Sequence, residues 1–69
     1  MDITHWWSAA TKQERQRVAD ACGIKRVYLY QLAIGFRKPS PQLARALDVA
    51  TQGALAKEVL RPDVFGEAA

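Results

Sequence analysis

The stretch "GIKRVYLYQLAIGFRKPS", Gly23 to Ser40, decides how this chain folds, because it is punctuated by glycines and breaks two helix rules between them. Gly23 and Gly35 each accept the left-handed backbone that ends a helix sharply. From about Lys25 to Ile34 there is no proline or glycine, and the run reads as one helix. Its start holds Lys25 and Arg26, where Ser, Thr or Asp would cap the free N–H groups and where the helix dipole disfavours cations. On a wheel of about 100° per residue, Leu29, Leu32, Ala33 and Phe36 fall together as the expected core face. Val27, Tyr30, Gln31 and Ile34 fall on the opposite side, so Val27 and Ile34 are apolar groups with no core to enter. Local rules broken in one helix point to a surface kept for function.

Working outward, Thr11 followed by Glu14 reads as a capping box that starts a helix ending at Gly23, with Val18, Ala19 and Cys22 on one face. Before it, "DITHWWSAA" is a short first helix with Asp2 as its cap and Ile3, Trp6 or Trp7, and Ala10 turned inward. Adjacent positions lie about 100° apart on a helix, so only one tryptophan is expected in the core. The other is expected over the edge of the fourth helix or at a dimer contact. Ser40-Pro41 caps that fourth helix, whose inward stripe is Leu43, Leu47 and Ala50 and whose end falls near Gly53. "ALAKEVL" reads equally as a short fifth helix or an extended piece, and Arg61-Pro62 terminates it. The tail "DVFGEAA" has Val64 and Phe65 alone to anchor it. No segment carries the alternation of a strand. The expectation is a single all-α domain over residues 1–69, with five short helices.

Composition bounds the function. With 69 residues and 49% hydrophobic content, the chain is below the size at which one core gives comfortable stability, so it must be compact and regular. Cys22 is the only cysteine, which excludes a disulfide framework and leaves a zinc site without ligands. No apolar run reaches the roughly 18 residues of a membrane span, and the N-terminus lacks an export pattern. A soluble protein of the reducing cytoplasm is expected, with no cofactor and no metal.

Ten Lys and Arg against seven Asp and Glu give a net charge of +3, which fits a polyanionic partner. Arg15, Arg17, Lys25, Arg26, Arg37, Lys38 and Arg45 concentrate positive charge in the middle, with Asp20 the only acid among them. Asp48, Glu58, Asp63 and Glu67 gather toward the C-terminus.

The second helix, glycine turn and third helix have the spacing of a helix-turn-helix. A small residue four places before the turn glycine lets two helices approach, and apolar residues around the turn lock their crossing. Ala19, Gly23, Val18, Cys22, Ile24, Leu29 and Leu32 occupy those places. Such a motif explains the odd face of the third helix as a surface for a DNA major groove. Lys25 and Arg26 reach guanine edges or phosphates, Gln31 pairs bidentately with adenine, and Val27 or Ile34 contacts a thymine methyl. Tyr30 stacks along the groove wall or donates to a phosphate. Arg37, Lys38 and Ser40 are expected at the sugar-phosphate strand, and Thr11, Lys12 and Gln13 form a second anchor.

The run "GIKRVYLYQLAIGFRKPSPQLARALDVAT" resembles the helix-turn-helix of phage repressors of the Cro and CI kind. "TQGALAKEVLRPDVF" is similar to the ending of small Cro-like regulators and YdaS-type prophage antitoxins. The resemblance covers Asp2 to Gly66. It implies a lambda-repressor-like domain and a prophage-encoded transcriptional regulator that binds a double-stranded operator as a homodimer. Lys25 departs from the Ser or Thr frequent at that helix start.

Other residues read plainly. His5 has no second ligand or carboxylate and is expected at the surface, and Cys22 is expected as a small buried hydrophobe. No nucleophile, base or phosphate loop forms a catalytic constellation, so an enzyme with a small-molecule substrate is not expected. Leu55 and Leu60 are expected to close the core against the first helix, and Val64 and Phe65 to form a dimer contact. The competing reading is an antitoxin or adaptor that grips another protein through the apolar face of the third helix.

Overall fold

A computed structural model describes residues 2–66; Glu67, counted above with the C-terminal acids, lies outside the described residues. Its elements are α1 (Ile3–Ala9), α2 (Lys12–Ala21), α3 (Arg26–Ala33), α4 (Pro41–Ala50), α5 (Lys57–Leu60) and α6 (Pro62–Phe65). No strand occurs among the described residues. The expected all-α class stands, with six helices in place of five.

The residue at the cap position closes three of the starts with its own side chain. Asp2 accepts from the His5 N–H at 2.7 Å, Thr11 from Glu14 at 3.1 Å and Ser40 from Leu43 at 3.1 Å. Each satisfies a donor that the helix itself leaves free. The Thr11–Glu14 box forms in one direction, because the Glu14 carboxylate turns to the Arg17 guanidinium one helical turn ahead.

The turn between α2 and α3 is closed by main-chain bonds. Gly23, at φ +69°, donates to the Asp20 carbonyl, and Ile24 donates to Ala19 at 3.0 Å. The same pair of bonds recurs at Gly35, φ +80°, where Gly35 donates to Leu32 and Phe36 to Gln31. Both are Schellman closures, in which a left-handed residue lets two consecutive N–H groups fold back on the last turn. At α4 the same closure falls one residue before the expected glycine. Gln52 takes the positive φ of 53°, donates to Val49, and leaves Gly53 to donate to Asp48.

Trp6, Val18, Ala19, Leu29, Leu32, Leu47 and Leu55 form the buried cluster, and Ala33 and Ala44 are buried too. Ala19 is fully buried, where the absence of a longer side chain permits the α2–α3 crossing. Packing joins α1 to α3, α2 to α3 and α4, and α5 to α4 and α6. Leu55 fills the core in one cluster with Trp6 of α1, and Leu60 packs partly buried against that cluster, while α5 as an element packs mainly on α4 and α6.

Of the segment left open as helix or extended, Lys57–Leu60 forms α5 and the residues before it are a turn, and the start of α5 is capped from outside. The Asp48 carboxylate on α4 accepts from the Lys57 N–H at 2.9 Å, doing what Ala56 at the cap position cannot do. Thr51 makes the joint, donating to the Leu47 carbonyl at 2.7 Å and accepting from Leu55 N–H at 2.9 Å. Pro62 then opens the sixth helix at its first position, where the missing N–H costs nothing.

Two expectations about aromatic residues are corrected. Phe36 is 70% exposed and lies outside the core, because α3 ends at Ala33 and the left-handed Gly35 swings the chain off the helical path. Trp6 is the core tryptophan, and Trp7 covers α3, with its ring centroid 5.5 Å from that of Tyr30, instead of the edge of α4.

Candidate nucleic-acid interface

Lys25 occupies the N-cap of α3 with extended backbone and no side-chain cap bond. The first turn of α3 therefore opens on uncapped N–H groups with Lys25 and Arg26 beside them. Val27 and Ile34 are 58% and 56% exposed and Tyr30 is 44% exposed, so the outward face read from the sequence is present. Gln31 is half-buried beside them. Nothing within the described residues covers Val27 or Ile34, whereas Leu29, Leu32 and Ala33 on the other side are buried.

Tyr30 leaves the helix tilted against Trp7 at 54° between ring planes, and Trp7 is itself held by Arg15. The Arg15 guanidinium stacks 4.2 Å from the Trp7 ring centre and donates two hydrogen bonds, 2.9 and 2.6 Å, to the Trp7 carbonyl. It thereby satisfies a carbonyl in the last turn of α1 and ties α1, α2 and the outer edge of α3 together. Thr4 adds a second tie, donating from its hydroxyl to the Ala33 carbonyl at the other end of α3.

Charge is redistributed by these contacts. Arg15 serves α1, Arg17 bonds Glu14 and the Ala50 carbonyl, and Arg45 lies over the Phe65 ring at 5.1 Å. Lys25, Arg26, Arg37 and Lys38 form no ion pair among the described residues. Arg37 is placed by its own neighbourhood: its Nε donates to Gln31 Oε1 at 2.7 Å, and its guanidinium lies 5.3 Å from the Tyr28 ring centre. Arg37 N–H also donates to the Gln31 carbonyl at 3.2 Å. Sequence reading missed this pairing across the glycine turn; the signal is a Gln and an Arg six residues apart on either side of a Schellman glycine.

Lys38 is exposed, and Pro39 behind it is buried with its carbonyl accepting from Arg61 at 2.9 Å. The same Arg61 makes a two-pronged pair with the Asp63 carboxylate. Its hydrogen bond holds the Asp63 carboxyl down at about 2 and raises its own pKa further. The loop bearing Arg37 and Lys38 is thus tied to the start of α6. Ser40 keeps its hydroxyl proton free to donate while its oxygen caps α4. Thr11, Lys12 and Gln13 are exposed at the first turn of α2.

Val64 is 47% exposed, and Phe65 is half-buried between Arg45 and Lys57, whose Nζ lies 5.9 Å from its ring centre. His5 is exposed. Cys22 is half-buried, and burial pushes its thiol above the ordinary value despite the nearby Arg17. No helix is long and apolar enough to cross a membrane among the described residues.

A buried α2–α3 crossing, a glycine turn and an outward α3 face with unpaired bases define a small helix-turn-helix domain. A protein of Escherichia coli (strain K12), the "Prophage transcriptional regulatory protein", is 35% identical over 60 residues, covering 87% of this chain and 91% of that protein. The chain belongs to this family of prophage transcriptional regulators. No protein-family model matches it.

Proposed function

We propose that this regulator is a Cro-type repressor of the cytoplasm that binds a palindromic double-stranded operator in a prophage and blocks polymerase there. The observation that carries the reading is the outward face of α3, where Val27 and Ile34 stay exposed beside Lys25 and Arg26 at an uncapped helix end. In solution that face is a liability for a domain this small; against a major groove the methyl groups, amide and bases all gain partners. Lys25, Arg26, Val27, Tyr30, Gln31 and Ile34 read base edges. Arg37, Lys38 and Ser40 on one side, and Thr11, Lys12 and Gln13 on the other, hold the phosphates. A two-fold contact through Val64 and Phe65 sets two α3 helices about 34 Å apart, one turn of the duplex.

Fluorescence anisotropy with duplex from the promoter beside its own gene, at two salt concentrations and against a scrambled duplex, tests this. The expected result is preference for the promoter duplex and a logarithmic salt slope of about −0.9 for each phosphate contact. Equal, weak binding to both duplexes overturns it.

A second reading, an antitoxin or adaptor whose main role is to bind another protein, draws on Val49. It is 78% exposed and borders a shallow apolar depression with Ala21, Ala46 and Ala50. That reading requires partner binding insensitive to salt and no DNA preference.

A further inference from the structure

The Gln31–Arg37 bond changes what Gln31 offers to a base. Arginine carries donors only, so the Gln31 atom facing Arg37 Nε at 2.7 Å is the amide oxygen. The Gln31 amide nitrogen keeps its two N–H groups, which make no hydrogen bond among the described residues. The terminal nitrogens of Arg37 make no hydrogen bond among the described residues, and they add further donors beside it. The pair is fixed by the main chain as well as by the side chains. Both Phe36 and Arg37 N–H groups donate to the Gln31 carbonyl, at 2.9 and 3.2 Å, and the Tyr28 and Phe36 rings flank the guanidinium at 5.3 and 5.8 Å.

We infer that Gln31 and Arg37 act as one readout unit that selects guanine, an inference that rests on the DNA-binding reading of α3. An unpaired glutamine matches adenine, accepting from N6 with its oxygen and donating to N7 with its nitrogen. Here the oxygen is already engaged, and the unit presents donors. Guanine shows two acceptors, N7 and O6, in the major groove, whereas adenine shows one acceptor and one donor. Using the second lone pair of Gln31 Oε1 would bring the adenine amino group against the guanidinium, donor facing donor. Arg37 is therefore a specificity-determining residue, and its role extends past phosphate neutralisation.

The experiment is selection of binding sites from a randomised duplex pool with the full chain and its Gln31→Ala, Arg37→Ala and Arg37→Lys variants. Anisotropy on single-base duplexes follows, and thermal denaturation by circular dichroism verifies folding; Arg37 is exposed, so its variants retain the core. The base position read by the unit is the one whose preference disappears in Gln31→Ala. The unmodified chain is expected to favour guanine there by about 5- to 150-fold, and to lose that preference when the base is 7-deazaguanine. Arg37→Ala frees the amide oxygen and moves the preference to adenine. Arg37→Lys keeps the charge, and hence the salt slope, yet also relaxes or moves the preference. If both Arg37 variants weaken all duplexes alike and leave the preferred base unchanged, Arg37 is a phosphate anchor only and the inference is wrong. The inference also fails if Gln31→Ala alters no position while the unmodified chain still selects a site. A chain that selects no sequence at all overturns the DNA-binding reading itself.

Discussion

Replacing Lys25 by Ser should make the protein more stable and a poorer DNA binder at once. Lys25 holds the N-cap of α3 with φ −78° and ψ 149°, the backbone that a capping serine adopts, and its own side chain makes no cap bond. A serine hydroxyl there accepts from the N–H of Val27 or Tyr28, which contributes about 1 kcal/mol. Removing a cation from the positive end of the helix dipole adds about 0.3–1 kcal/mol at an exposed site. The turn is already shaped for it, because Ile24 and Leu29 stand at the positions of a hydrophobic staple and both pack in the core cluster. The gain of about 1–2 kcal/mol raises Tm by roughly 4–8 °C for each kcal/mol in a domain of this size. Thermal denaturation followed by circular dichroism reads the first effect, and anisotropy across a salt series reads the second. If Lys25 meets a phosphate, the salt slope shrinks by about 0.9. If it meets a base edge, affinity falls by about 1–3 kcal/mol. An unchanged or lower Tm would refute the capping argument; a higher Tm with undiminished DNA affinity would refute the placement of Lys25 at the interface.

Other perturbations test other parts of the fold. Gln52→Gly should stabilise by about 0.5–1 kcal/mol in urea melts, since Gln52 sits at φ 53° where a side chain is strained; Gly35→Ala should do the opposite. Leu47→Ala, at a fully buried position, should cost about 2–5 kcal/mol by the same measurement. Asp63→Asn should flatten the acid limb of a pH–stability profile. The Asp63 carboxyl is held below its unfolded value of 3.8, down to about 2, so its contribution is present above pH 4 and is lost as the pH falls toward 2. Arg15→Ala should lower stability by about 1–2 kcal/mol through the two bonds lost at the Trp7 carbonyl, and broaden the Tyr30 ring signals in NMR spectra.

What was legible in the sequence was whatever local chemistry decides. Asp2, Thr11 and Ser40 announce helix starts because a capping side chain acts within three residues, and Gly23 and Gly35 announce ends because the left-handed turn favours glycine. The outward face of α3 was legible because Val27 and Ile34 share a side opposite Leu29 and Leu32. Contacts between distant residues were not. Asp48 caps α5 from nine residues away, so "ALAKEVL" by itself carries no start signal. Arg15, Arg17 and Arg45 looked like members of a basic surface, yet a guanidinium is equally suited to a carbonyl or a ring, and tertiary packing chose those. Phe36 was misplaced because a helical wheel was extended past Gly35, where the helical phase no longer applies.

The two Schellman closures around α3 have a consequence for how such a regulator changes over generations. Main-chain bonds and a glycine at each end set the angle and length of the helix, and Leu29, Leu32 and Ala33 seat it. Of the side chains that face away, Val27 and Ile34 are more than half exposed and stand apart from that seating, whereas Tyr30 rests on Trp7 and Gln31 is bonded to Arg37. The side chains at residues 27 and 34 can therefore be exchanged while the domain still folds. The scaffold thus separates what holds α3 in place from what its two most exposed apolar positions display.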